Sequence, residues 1–325
     1  MSRKNLSQTS LVTSTFAEHL RIWGPDAPPQ RIPSLAEANA YCTQLAKSHY
    51  ENFPVVSWML PAKLHQHFQN VYAFCRWADD LADEVETASQ SLALLLWWKE
   101  LLHDCYSGKA THPVFIALQK TISQFDIPAK PFEDLISAFE QDQHLQKYKT
   151  FEQLQNYCQR SANPVGRIVL FLCERSDETN IALSDSICTG LQLANFWQDI
   201  ARDADIGRCY LPREDCEQFN YTEEDYHSRR TNKAFIQLMQ FEVQRARTFL
   251  QKGLPLVHQM PGRLQIDIDL FAQGGLKILE RIEQIDYNVW QQRPQVTKWD
   301  GCKLIAKSMY RFGWNRLGIN SLRNR

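Results

Sequence analysis

The sequence predicts an all-helical fold, and three observations carry that prediction. No stretch alternates apolar and polar residues at period two for long, so strands are not expected. Two capping-box spacings, Ser34-Leu-Ala-Glu37 and Thr150-Phe-Glu-Gln153, mark helix starts. Breakers such as Pro54, Gly108 and Pro128 separate the segments in between.

Residues 1–33 are weakly patterned and hold Pro25, Pro28, Pro29 and Pro33, which reads as a flexible or wrapping arm before one domain over 34–325. The first capping box opens a helix to about Lys47, and the chain breaks at Phe53-Pro54. Pro61 suits a first helical turn, and its helix is expected to reach about Glu86. Helices follow at about Ser89 to Ser107, Pro113 to Gln124 and Pro131 to Lys147. The second capping box opens a helix that Pro164 kinks. The next, about Asp185 to Asp203, runs into a loop, Asp205-Ile-Gly-Arg208-Cys-Tyr210-Leu-Pro212, that offers one cation and one phenol. Long helices at about Glu223 to Gly253 and Arg263 to Trp290, the second interrupted by Gly274-Gly275, precede a last one at about Lys298 to Leu317. About ten helices around a central cavity are expected, with no repeat of roughly 20–50 residues and no low-complexity tract.

Composition excludes several functions. Apolar residues make up 44% and charged residues 22%, which fits a soluble globular chain with a substantial core. The formal net charge of −1 leaves no electrostatic footprint for nucleic acid. Cysteines occur singly, without C-x-x-C spacing, so neither a zinc site nor a disulfide framework is indicated, and a reducing cytoplasm fits. The N-terminus has no apolar signal core, and the longest strongly apolar runs, Leu92 to Trp98 and Ile168 to Cys173, are too short to span a bilayer. No Gly-x-Gly-x-x-Gly follows a strand, so neither NADPH nor a flavin is expected. Abundant tryptophan and phenylalanine imply large apolar surfaces, in a core or in a greasy ligand cavity.

Chemistry concentrates in two stretches. In Tyr72-Ala-Phe-Cys-Arg-Trp-Ala-Asp79-Asp80-Leu-Ala-Asp83-Glu84, the spacing of Asp79 and Asp83 stacks both carboxylates on one helix face, with Arg76 on the same side. Like charges so placed cost an isolated helix roughly 0.2–0.5 kcal/mol, a penalty that a hard divalent cation would reverse. Gln192-Leu-Ala-Asn195-Phe-Trp-Gln-Asp199-Ile-Ala-Arg-Asp203 repeats the arrangement, Asn195 and Gln192 extending the acidic stripe. A lone Asp-x-x-x-Asp is usually solvated surface, whereas two such pairs among aromatic neighbours would be costly to bury unpartnered. Opposed across a cavity with Mg²⁺ between them, the stripes would bind a diphosphate and make it a leaving group, while Arg76, Arg208 and Lys298 neutralise the rest. A carbocation left behind demands an apolar, aromatic wall. His65 and His67 point to different sides of a helix, and Trp97, Trp98 and Phe171 read as core.

On these two motifs and the following Gly207-Arg208-x-Tyr210-Leu-Pro212, the chain resembles the squalene and phytoene synthases, the head-to-head trans-isoprenyl diphosphate synthases, over roughly residues 35–305. The resemblance implies an all-α isoprenoid (terpenoid) synthase fold and Mg²⁺ held by Asp79, Asp83, Asn195, Asp199 and Asp203. It further implies diphosphate contacts from Arg76, Gln192, Arg208 and Tyr210, with Tyr72 and Tyr157 lining the reaction chamber. The departures narrow it. The family's Ser-x-Ser-Phe with a basic middle residue is His49-Tyr50-Glu51-Asn52-Phe53-Pro54; its usual Arg before the second acidic motif is Gln198; its usual Val-Ala-Gly is Ser161-Ala162-Asn163-Pro164; and Gly274-Gly275 lies where relatives place larger side chains.

Together these changes resemble the hydroxysqualene synthase branch of bacterial hopanoid biosynthesis, which takes presqualene diphosphate from a sister enzyme and captures the rearranged cation with water rather than hydride. Loss of two basic positions weakens a site for two diphosphates but remains adequate for one. Glu51, Asn52, Tyr50 or Tyr157 would then orient the water, with His49 and Phe53 also facing substrate. The alternatives are condensation of two farnesyl or two geranylgeranyl diphosphates, and a non-catalytic assembly or lipid-binding relative, against which two intact acidic stripes argue. So apolar a product implies transient contact with the cytoplasmic membrane face, through the arm or the arginines at the C-terminal end.

Overall fold

The computed structural model describes residues 15–28, 31–48, 60–145 and 147–313. They form α1 (Phe16–Trp23), α2 (Leu35–Ser48), α3 (Ala62–Asp83), α4 (Ala88–Tyr106), α5 (Pro113–Phe125), α6 (Lys130–Asp142), α7 (Phe151–Ser161) and α8 (Asn163–Leu172). The chain continues through α9 (Glu178–Asp205), α10 (Arg213–Gln218), α11 (Glu223–His227), α12 (Lys233–Gly253), α13 (Leu256–Gln259), α14 (Leu264–Gln284) and α15 (Lys298–Gly313). Among the described residues the sole β feature is an isolated bridge between Lys147 and Cys209.

Local chemistry sets most helix starts. Ser34 and Glu37 exchange their expected capping bonds ahead of α2, and the Thr150 hydroxyl accepts from the Gln153 amide at the start of α7. Asp177 accepts from the Asn180 amide, so α9 begins at Glu178, a full two turns before the expected Asp185. The helix expected over Glu223 to Gly253 is two: Thr222 and Asp225 form a capping box for α11, Arg229 turns with φ 50°, and Asn232 caps α12. α14 runs straight through Gly274-Gly275 and stops at Gln284, and α6 stops at Asp142 rather than Lys147. Within the expected arm, Phe16 of α1 is buried with its ring 5.3 Å from that of Trp77, edge to face.

Two large apolar clusters make the core. The first joins α1–α6 and α8 around Phe74, Trp77, Trp98, Phe115 and Phe132, with Trp77 and Trp98 stacked at 5.2 Å. The second joins α7, α9, α12 and α14 around Trp197, Phe235, Met239 and Leu250. A smaller one, including Leu170, Ile187, Leu256 and Leu264, closes the end where α3 begins. α9 packs most extensively on α12, because Gly190 lets the helices approach: a Cβ there would lie 2.9 Å from the Leu250 backbone nitrogen. α6, α7 and α8 connect α3 to α9, so the C-terminal ends of the two acid-bearing helices face one space between the clusters. The nine cysteines are all free thiols, and among the described residues no helix is long and apolar enough to cross a membrane.

Candidate active site

A cavity of about 310 Å³ lies between the clusters. α3 brings Asp79 and Asp83; α9 brings Gln192, Asn195, Phe196 and Asp203; the loop after α9 brings Arg208 and Tyr210; α6 and α7 supply Leu135, Ala138, Phe139, Asp142, Tyr157 and Ser161. Amphipathic periodicity explains the delivery from α3. Phe74, Trp77, Ala78 and Leu81 bury the core face, which leaves Asp79 and Asp83 on the flank that meets the cavity. Asp80 turns inward instead, and burial pushes its carboxyl up to about 7 against the pull of its ion-pair partner Arg76.

Burial dominates the electrostatics of Asp79 and Asp203. Burial, and then Asp83, raises the pKa of Asp79. Burial, and then Asp199, pushes Asp203 up to about 7. Arg208 donates to Asp83 Oδ1 at 3.4 Å and is, among the described residues, the cation lining the cavity. All-oxygen donors on both walls suit Mg²⁺. Among the described residues no three His, Cys, Asp or Glu side chains are gathered closely enough to hold a metal alone.

The remaining wall is aromatic. Tyr210 stacks on Phe196 with centroids 3.8 Å apart and planes 8° apart, and Tyr157 lies 6.1 Å from Tyr210 and 5.7 Å from Tyr148. The Tyr157 hydroxyl donates to Asp142 Oδ2 at 2.8 Å, and burial pushes Asp142 up to about 6.

Of the positions singled out in the sequence, Asp79, Asp83, Tyr157, Gln192, Asn195, Asp203, Arg208 and Tyr210 share this cavity. Asp199 does not line it: Arg293 grips its carboxylate through Nε at 2.5 Å and Nη2 at 3.0 Å. Next to it, Gln198 donates to the Pro294 carbonyl, so adjacent residues of α9 pin the segment before α15. Arg76, expected on the diphosphate, is ion-paired with Asp79, Asp80 and Glu84 and does not line the cavity. Tyr72, one turn earlier, is half-buried and also off its lining. His49, Tyr50, Glu51, Asn52 and Phe53 lie outside the described residues, as does the side chain of Lys298 in the first turn of α15. His65 and His67 bond separately, to the Leu60 carbonyl and the Thr121 hydroxyl. Sequence reasoning missed Asp142 and Arg293, and met Ser161 only as a departure from the family's motif. Asp142 ends a helix that was expected to run on to Lys147, and Arg293 meets a partner 94 residues away, so neither gave a local signal.

Comparison with known proteins follows the same lines. A squalene/phytoene synthase family model matches residues 46–300. A phytoene synthase from Arthrospira platensis is 30% identical over 291 residues, covering 84% of this chain and 93% of that protein. The 15-cis-phytoene synthase of Synechococcus elongatus is 29% identical, covering 85% of this chain and 93% of that protein. Among solved structures, squalene synthase HpnC from Alicyclobacillus acidocaldarius is 42% identical with a TM-score of 0.76, covering 78% of this chain and 96% of that one. A dehydrosqualene synthase in complex with ligand shares the fold, with a TM-score of 0.77 at 23% identity over 86% of this chain and 98% of that one. The all-α architecture is that of the terpenoid synthases.

Proposed function

The chain belongs to the squalene/phytoene synthase family, enzymes acting on prenyl diphosphates, and from that premise we propose that it is a hydroxysqualene synthase. In this reading presqualene diphosphate ionises with the help of Mg²⁺, the cation rearranges, and water captures it to give hydroxysqualene and diphosphate. The observation that carries the reading is the charge of the cavity. Asp79, Asp83, Asp203, Asn195 and Gln192 surround it, and Arg208 is its lining cation among the described residues. One guanidinium beside oxygen ligands suits one diphosphate. Arg76 and Arg293 are committed to acids, and position 198 carries a neutral amide. The 42% identity to squalene synthase HpnC, against 30% to a phytoene synthase, and the departures at Glu51, Gln198 and Ser161 support the same branch.

Mg²⁺, when bound, supplies charge that stabilises the leaving diphosphate oxygens. Asp79, Asp83, Asn195 and Asp203 would hold it. The Gln192 amide and the Arg208 guanidinium bind and orient the diphosphate. Phe196, Tyr210 and Tyr157 present ring faces to the cation, and Leu135, Ala138 and Phe139 exclude bulk water from it. Water, not hydride, ends the reaction, so this reading needs no NADPH or flavin. A cytoplasmic enzyme touching the inner membrane face to release its apolar product, and meeting sister enzymes of the squalene pathway there, completes it.

The test is mass analysis of products from labelled presqualene, farnesyl and geranylgeranyl diphosphates, with and without EDTA. Hydroxysqualene from presqualene diphosphate, with diphosphate release stopped by EDTA, is expected. Turnover of farnesyl or geranylgeranyl diphosphate with none of presqualene diphosphate would favour head-to-head condensation and reject this proposal. A protein that releases diphosphate from none of the three is a non-catalytic relative.

A further inference from the structure

Tyr157 and Ser161 stand one helical turn apart in α7, so their side chains share a face, and both line the cavity. The Tyr157 hydrogen is committed to Asp142, which leaves the phenol oxygen with lone pairs only to offer. The Ser161 hydroxyl is buried and has no hydrogen-bond partner. Among the described residues lining the cavity, it is the one whose buried oxygen goes unpaired. An unpaired buried hydroxyl is unfavourable, and alanine at the same position would carry no such burden. The arrangement is relieved by a small molecule that both donates and accepts. On the wall built by α6 and α7, Leu135, Ala138 and Phe139 offer such a molecule no polar contact, and Tyr157, Ser161 and Asp142 are its polar groups.

From this geometry we infer that Ser161 is a specificity-determining residue: with Tyr157, itself positioned by Asp142, it holds the water that attacks the carbocation and so directs the reaction to an alcohol. The inference rests on the water-capturing reading above. In the step, the water oxygen forms a bond to the cationic carbon and one water O–H bond breaks. That proton passes to the Tyr157 oxygen as the Tyr157 proton passes to the Asp142 carboxylate, which ends neutral. Ser161 accepts from or donates to the water but does not ionise. Asp142, which also lines the cavity, takes the proton through Tyr157.

The experiment uses the full chain with presqualene diphosphate in ¹⁸O-labelled water and reads labelled alcohol per diphosphate released, a ratio independent of total rate. Ser161→Ala is expected to lower that ratio roughly three- to tenfold, the worth of one hydrogen bond, in favour of dehydrated hydrocarbon, while Ser161→Thr, which keeps the hydroxyl, retains it. Asp142→Asn is expected to lower it further, and Asp142→Glu to restore part of it. Should Asp142→Asn fail to fold, Tyr157→Phe asks the same question of the hydroxyl. An unchanged ratio in both Ser161→Ala and Tyr157→Phe overturns the inference while leaving hydroxysqualene formation intact. A wild-type protein that turns over presqualene diphosphate without incorporating label overturns both.

Discussion

Asp203 is pushed up to about 7 by burial and by Asp199, which places a carboxyl reluctant to ionise where a divalent cation would reward its charge. Asp203→Asn keeps the shape and removes the charge, so diphosphate release is expected to fall on the order of a hundredfold with unchanged circular dichroism. A fall under twofold would remove Asp203 from the site. Asp267 is a different case, buried in α14 with neither oxygen hydrogen-bonded and its carboxyl pushed up to about 7 by burial alone. Between roughly pH 4 and pH 7 the unfolded chain releases a proton that the native state keeps, so stability falls as pH rises through that window. Below the window the group has no effect. Urea midpoints measured across it should slope downward, and Asp267→Asn should flatten the slope and raise the midpoint at neutral pH. Asp80, Asp203 and Asp142 act in the same direction, so some slope remains. At this scale the motif residues were legible because helical spacing alone puts Asp79 beside Asp83. Asp142 and Arg293 were not, since each is defined by what it meets across the fold.

Elements succeed here by close approach. α9 and α12 meet where Gly190 faces Leu250, and α14 joins them where a Cβ on Gly275 would lie 2.7 Å from Leu191 Cδ2. Gly190→Ala is expected to force α9 and α12 apart and cost about 1–3 kcal/mol in chemical denaturation, despite alanine's better helix propensity. Gly274 has open space around its Cβ position, so Gly274→Ala should instead be neutral or stabilising by up to roughly 1 kcal/mol. The glycine pair therefore does not interrupt α14, as its sequence suggested. One position is a packing contact, and an otherwise well-packed helix tolerates the other. A buried ion network ties α10 to α12: Arg245 bonds Asp215 at 2.7 Å and Glu242 at 3.0 Å, with Phe151 and Phe241 beneath the guanidinium. Burial holds Glu242 well above the usual carboxylate range. Arg245→Ala would strand two buried acids, at a cost of about 3–5 kcal/mol read from the denaturation midpoint.

Across the whole molecule, two clusters with a charged seam between them imply that ligand binding and stability are linked. With Asp79 and Asp83 on one wall and Asp203 on the other, metal alone should bind weakly, and metal with pyrophosphate bridging the walls should bind as a unit. Thermal melting is therefore expected to shift upward with Mg²⁺ and pyrophosphate together, by the equivalent of about 2.7 kcal/mol at a hundredfold excess over Kd, and much less with either alone. EDTA should reverse the shift. An equal response to either component alone would contradict a site completed by phosphate oxygens.

Periodicity, caps and breakers are local, and so the sequence by itself determined an all-helical chain and two acidic stripes whose side chains are all oxygen donors. What only the tertiary structure decided is which of those groups share a space. Asp199 faces Arg293 instead of the cavity, Arg76 is spent on three acids, and the hydroxyl of Tyr157 points at Asp142. Helical spacing assigns a side chain to a face. The neighbour that the face meets is fixed by packing between segments far apart in the chain, where close-packed cores admit few arrangements.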